Sequence, residues 1–209
     1  MKKLLIVMAL PMIAFAVQAQ NLSFGPTIGF GHSWTNAPLV NAERTFHPSY
    51  NIGGKMVYSF VTHWGISGDI KFSSEGQTVK IINSDAKIKA RGNYIRIPLQ
   101  GIYFFGKFGD MVRPKISVGP SFGFLIGGKI TNTLNDTESK TTDSWNNFDF
   151  GINAAAGANI RIARATWLNL DATYYHGLTN VPKFDVKGKY RSIGINIGVT
   201  LPVATLRPK

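Results

Sequence analysis

From Leu22 to Thr35 the chain alternates residue by residue between bulky and small side chains. Leu22, Phe24, Pro26, Ile28, Phe30, His32 and Trp34 fall on one side. Ser23, Gly25, Thr27, Gly29, Gly31, Ser33 and Thr35 fall on the other. A helix would mix the two sets, whereas a strand keeps them apart, so this period of two predicts a strand. The pattern recurs near Tyr50 to Val61, Trp64 to Ser73, Asn93 to Phe105, Lys115 to Gly127, Phe148 to Ile162, Trp167 to Leu178 and Arg191 to Leu201. The last segment is the plainest, setting Ile193, Ile195, Ile197, Val199 and Leu201 against Ser192, Gly194, Asn196, Gly198 and Thr200.

The connections alternate as well. Long polar ones cover 36–48, 75–92, 130–147 and 179–190, and short ones lie near Thr62-His63, Gly106–Pro114 and Ala163–Thr166. A meander with its long loops at one end produces this order. Short turns on one side and longer loops on the other are the habit of outer-membrane barrels. The expected fold is therefore all-β: an eight-stranded antiparallel up-and-down transmembrane β-barrel.

A soluble barrel of the same topology would turn its apolar face inward and meet water with Lys and Glu. Here the second face is mostly Gly, Ser, Thr and Asn, with glycine at positions such as Gly25, Gly29, Gly53, Gly119, Gly157, Gly194 and Gly198. An eight-stranded barrel leaves room inside only for small side chains, while a lipid-facing band takes large aliphatic and aromatic ones. The bulky face is thus expected outside. Trp34, Tyr50 and Phe72 at the outer ends, and Phe24, Trp64 and Phe105 at the periplasmic ends, fit interfacial girdles. The small-residue face also carries Lys55, Asp69, Lys71, Arg96, Lys115, Asp149, Arg161 and Asp171. Charges inside a narrow barrel have to be paired, so these eight are expected to form a lumen charge network.

Only 16% of the 209 residues are charged, against roughly 25% in an ordinary soluble domain. There is no Cys, which excludes disulfides and Cys-ligated metal. Lys2 and Lys3 precede an apolar run from Leu4 to Val17, and Val17-Gln18-Ala19 offers small residues for cleavage. Residues 1–19 are expected to be a secretory signal peptide, leaving the barrel domain over 20–209.

The formal net charge is +12. Nucleic acid is a poor explanation for an exported chain without a binding motif. Basic residues gather instead in two long loops: Lys80, Lys87, Lys89 and Arg91 in one, Lys183, Lys187, Lys189 and Arg191 in the other. At the outer rim they are candidates for contact with the phosphates of lipopolysaccharide. His32, His47, His63 and His176 show no metal-ligand spacing, so neither metal nor cofactor is expected. His32 and Ser33 are adjacent in a strand and point to opposite faces, which argues against a Ser-His hydrolase pair there. Catalysis is not expected, and the three aspartates of the inner face read as structural.

Several segments carry a family resemblance: FGPTIGFGHSW, WGISGDIKFSSEG, YIRIPLQGIYFF, RPKISVGPSFGFLIGG, FDFGINAAAGANI and LNLDATYYHGLTNV. Ile-Pro-Leu at 97–99 and Arg-Pro at 113–114 before Gly-Pro at 119–120 are the most specific. The chain resembles the outer-membrane β-barrel (PorT-like) proteins of the Bacteroidetes. That resemblance implies an eight-stranded outer-membrane barrel and no single activity. Some members of the family resemble a component of a secretion machinery for C-terminally tagged proteins. Such barrels commonly end in an aromatic residue, whereas this chain continues past Leu201 as PVATLRPK. The expected role is structural or interactive: a barrel anchoring four surface loops toward lipopolysaccharide, ligands or envelope partners, with the barrel-insertion machinery as a partner during biogenesis. A secretion-complex subunit is the alternative, and a lipid-modifying enzyme or a small channel are weaker ones.

Overall fold

The computed structural model describes residues 22–60, 63–107, 109–163, 166–184 and 187–203; the expected signal peptide lies outside them. The strands are β1 (Leu22–Thr35), β2 (Ala42–Thr45), β3 (Pro48–Ser59), β4 (Trp64–Ile81), β5 (Lys87–Phe104), β6 (Val112–Asn132), β7 (Thr137–Lys140), β8 (Phe148–Ala163), β9 (Thr166–Gly177) and β10 (Tyr190–Pro202). One helical turn, α1 (Thr141–Ser144), follows β7.

Eight of these strands form the wall, in the order β1, β3, β4, β5, β6, β8, β9, β10, and β10 pairs back onto β1. All pairings are antiparallel. Closure leaves no open edge, which a spanning structure needs because lipid cannot satisfy backbone groups. Both ends of the wall, Leu22 and Pro202, lie on the short-turn side. The long connections lie at the opposite, outer end.

The alternation resolves as two environments. Outward residues are exposed and large: Ile28 is 59% exposed, Ile70 65% and Ile195 59%. Inward residues such as Thr27, Ser121, Asn169 and Thr200 are buried. The lipid-facing band is bounded by aromatics. At the periplasmic end Tyr103 packs against His63, Trp64 and Phe105 with ring centroids 5.7, 5.1 and 5.2 Å apart. At the outer end His32 stacks between Trp34 and Phe46, 5.0 Å from each.

Two features depart from the sequence expectation. Residues 75–92 are not a loop: β4 runs on to Ile81 and β5 begins at Lys87, with a short turn between. The outward positions there switch from aliphatic to Lys, Arg and Thr because they leave the hydrocarbon, which disguises a continuing strand as polar loop. Short β2 pairs onto the upper part of β4, and β7 onto the upper part of β6, so the wall rises above the membrane as a broad ribbon. The second feature is a bulge in β6. Asn93 lies opposite Gly127 while Tyr94 lies opposite Leu125, so β6 holds one extra residue there. An extra residue reverses which face the following side chains take. Gly127, expected inside from its parity, therefore shares the outer face with Asn93.

Candidate functional site

The lumen is filled in three layers. At the outer end Tyr94, Tyr175, Tyr190, Trp145, Ala90 and Val181 form a buried cluster, with Leu125 and Ile130 packed against it. Trp145 reaches this cluster from beyond α1, in a stretch that reads as polar loop. It sits edge-on to Tyr190 at 5.7 Å, and Tyr190 is edge-on to Tyr94 at 5.8 Å. Thr141, fully buried, donates its hydroxyl to the Arg91 carbonyl at 2.7 Å and fastens the segment to β5. At the periplasmic end Val57, Ile102 and Phe104 form a second buried cluster. The Arg113 guanidinium lies 4.1 Å from the centre of the Phe104 ring.

Between these apolar ends lies the ionic layer. Arg96 donates to both carboxylate oxygens of Glu75 at 2.6 Å and to Asp149 at 2.7 Å. Its guanidinium is held between Tyr175 and Tyr94, 4.2 and 5.1 Å from the ring centres. Tyr175 and Thr179 donate to Asp149 at 2.7 and 2.8 Å, and Ser73 donates to Glu75 at 2.6 Å. A second group joins Lys55 to Asp69 at 3.5 Å and to Asp171 at 3.7 Å, Lys71 to Asp69 at 3.5 Å, and Lys115 to Asp171 at 2.9 Å. All these charged side chains are buried. The first group carries one excess negative charge and the second one excess positive charge, so the layer is neutral as a whole. Low-dielectric surroundings make that balance strict, since an unpaired buried charge costs several kcal/mol.

Of the eight inner-face residues singled out from sequence, seven lie in this layer. Arg161 takes no part in its ion pairs among the described residues; it is half-buried at the periplasmic end of β8. Glu75 is the residue that sequence reasoning missed. Two signals point to it. It continues the parity of Asp69, Lys71 and Ser73, and the predicted set held five cations against three carboxylates. Two polar cavities of about 40 and 50 Å³ remain beside the Arg96 group, both bordered by Asn51, Ser73, Glu75 and Asn196. Spaces of that size and polarity suit a few water molecules.

The predicted rim residues fall into two groups on different strands. Lys80 lies on β4 and Lys87, Lys89 and Arg91 on β5, whereas Lys183, Lys187 and Lys189 precede β10 and Arg191 lies on it. In the eight-strand ring β10 stands four places from β5 and three from β4, while Lys183 reaches over to α1. Lys183 donates to the Thr142 carbonyl at 2.6 Å, and Arg191 donates to the carbonyls of Gly177 and Tyr190 at 2.9 and 2.7 Å. Arg91 donates to the Ser74 hydroxyl at 3.1 Å and to the Pro48 carbonyl at 3.2 Å, and lies 5.6 Å from the Tyr50 ring centre.

The histidines are dispersed. His47 is buried at the outer end, where its Nδ1 meets the Thr78 hydroxyl at 2.9 Å. Burial, with the nearby Arg91, His32 and Lys89, lowers its pKa to about 4. His63 bonds the Phe104 carbonyl at a periplasmic turn, and His176 lies beside Tyr174. The Ser33 hydroxyl is tied to the Gly76 backbone at 3.0 and 2.8 Å, on the face opposite His32.

A family model described as "Outer membrane protein beta-barrel domain" matches residues 18–182. Among solved structures, OprG from Pseudomonas aeruginosa is 13% identical with a TM-score of 0.58, covering 86% of this chain and 94% of that one. Neisserial surface protein A (NspA) is 16% identical with a TM-score of 0.49, covering 86% and 96%. No curated protein matches the chain.

Proposed function

Since the chain belongs to the outer membrane protein beta-barrel domain family and resides in the bacterial outer membrane, we propose that it acts as a sealed anchor whose work is done by its outer ribbon. The single observation behind this reading is the filled lumen. A neutral ionic layer lies between an aromatic cluster above and an apolar cluster below, which leaves the interior a packed core. Such a barrel holds position and lets its outer face recognise lipopolysaccharide, a surface ligand or an envelope partner. The test is single-channel recording of the refolded mature chain in planar bilayers, paired with crosslinking in native outer membranes. The anchor reading expects a silent bilayer and a discrete set of crosslinked outer-membrane components. Reproducible unitary conductance steps would overturn it.

A second reading, a subunit of a secretion complex, is favoured by one feature. Large apolar residues stand exposed at the outer tips, among them Val40, Ile82, Leu134 and Phe184. The tips bearing Val40, Ile82 and Leu134 adjoin: Ile82 donates to the Asn41 carbonyl at 3.0 Å and Thr133 to the Lys87 carbonyl at 3.0 Å. Apolar patches at this height suit a protein partner. Co-purification of envelope proteins that is lost on substituting Val40, Ile82 and Leu134 with Ser would favour this reading over the first.

A further inference from the structure

Above the membrane, register alone assigns the faces of the ribbon. Residues directly opposite in an antiparallel pair share a face. On β5, Arg91, Lys89 and Lys87 have the parity of Ile95, Ile97 and Leu99, so they face outward above the lipid band. Lys80 on β4 lies opposite Lys87. Lys129 on β6 lies opposite Arg91, and Lys140 on β7 lies opposite Lys129. Six cations from four strands therefore share one outer face. The β6 bulge is what brings Lys129 there; without the extra residue it would have the inward parity of Lys115 and Ser121. The reverse face of the ribbon carries Val79, Ala90 and Ile130 over the mouth of the barrel, so the basic face is the one left to its surroundings.

The neighbouring carboxylates do not neutralise this face. Lys129 pairs with Glu138 at 2.8 Å and Lys80 lies 4.0 Å from Asp85. Glu43 lies opposite Lys80. Among the described residues, Arg91, Lys87, Lys89 and Lys140 have no carboxylate within ion-pair distance. The height is also defined. Arg91 is four residues above Ile95, or about 10 Å along the membrane normal for a strand rising 3.4 Å per residue at about 40° tilt. Arg91 thus stands just above the outward aliphatic position Ile95, with Lys129 and Lys140 beside it in register and Lys89, Lys87 and Lys80 on the levels beyond.

We infer that this face of β4, β5, β6 and β7 binds the phosphate groups of outer-leaflet glycolipid. The inference rests on the anchor reading and names the occupant of one part of the ribbon. Arg91 supplies a planar fork of donors already steadied over Tyr50, and the lysines supply point charges that follow the phosphates outward. Acyl chains below would lie against Ile95, Phe124 and Phe72, which follow one another in register.

The test uses the whole mature chain in detergent, titrated with bisphosphorylated lipid A and read by native mass spectrometry. Dephosphorylated lipid A and inorganic phosphate serve as the comparison ligands. The expected result is that bisphosphorylated lipid A binds at least tenfold more tightly than the dephosphorylated form, and that inorganic phosphate at the same concentration does not displace it. K87Q/K89Q/R91Q should weaken binding at least tenfold. K87Q/K89Q, which keeps the contacts of Arg91 to Ser74 and Pro48, should give a smaller loss in the same direction. K187Q/K189Q, in the connection just before β10, should bind like the wild type. Equal binding of the dephosphorylated lipid, or unchanged binding by K87Q/K89Q/R91Q, would overturn the assignment, as would displacement by inorganic phosphate. Any of these leaves the sealed anchor standing, because its own test is electrical silence.

Discussion

Replacing Arg96 with Met removes the cation at the centre of the lumen. The guanidinium makes two bonds to Glu75 and one to Asp149, all 2.6–2.7 Å, and is packed between two tyrosine rings. Methionine keeps part of the packing and none of the charge. Two carboxylates then remain buried with only hydroxyl donors from Ser73, Tyr175 and Thr179. Stranding one side of a buried ion pair costs about 3–5 kcal/mol, and a desolvated cation–π contact is worth about 2. These terms overlap, so R96M should lose about 4 kcal/mol, roughly a thousandfold in the folding equilibrium. The discriminating variant is R96M/E75Q. It discards a second charge, yet it returns the ionic layer to balance, with Lys55, Lys71 and Lys115 against Asp69, Asp149 and Asp171. It should therefore be more stable than R96M, a non-additivity of at least 1 kcal/mol. Urea unfolding in lipid vesicles, followed by the heat-dependent gel mobility of the folded barrel, measures both. R96M within 1 kcal/mol of wild type, or a double variant less stable than R96M, would refute the neutral-layer reasoning.

Other perturbations test other parts. His47 holds a pKa of about 4 in the fold against about 6.5 unfolded. Between those values the unfolded chain binds a proton that the folded chain refuses, so stability is fully present above pH 6.5. It should fall by about 1.4 kcal/mol per unit toward pH 4. Urea titrations at stepped pH should show that slope in the difference between wild type and H47Q. A Cβ on Gly157 would lie 1.9 Å from the Leu170 carbonyl oxygen and 2.9 Å from the Asp171 Cα, whereas one on Gly101 meets only the Val118 oxygen at 3.8 Å. G157V should cost about 1–3 kcal/mol by overpacking and G101A under about 0.5, compared in the same unfolding assay. W145A empties the outer cluster and should cost about 3–5 kcal/mol. Its folded wall should persist, seen as a retained heat shift on gels.

The wall of the barrel was legible because two solvents act on alternate residues. Ile193, Ile195 and Ile197 meet lipid while Gly194, Asn196 and Gly198 meet a crowded interior, and that contrast survives in the bare sequence. Legibility ends where the outer solvent changes. From Thr78 to Ile81 and from Lys87 to Arg91 the strands continue, but polar groups on the outer face erase the contrast. β2 and β7 carry no pattern of their own, as Ala42–Thr45 and Thr137–Lys140 are strands only because β4 and β6 offer them an edge. Seven members of the ionic layer were readable from parity. Glu75 was readable as well, had the demand for charge balance been applied to the five cations. Trp145 was not readable, because a single aromatic in a polar stretch says nothing of the tyrosines it will meet. The bulge after Leu125 is likewise invisible in sequence, and it decides where Lys129 points.

In this barrel the bulky rows face lipid. Isoleucine methyl NMR of the protein in lipid nanodiscs, with and without a lipid carrying a nitroxide on its acyl chain, tests this without any substitution. Ile28, Ile70 and Ile195 should lose their methyl signals to the nitroxide, while Ile102, only 1% exposed, should keep its own. Preserved signals from Ile28, Ile70 and Ile195 beside the spin-labelled chains would contradict the account.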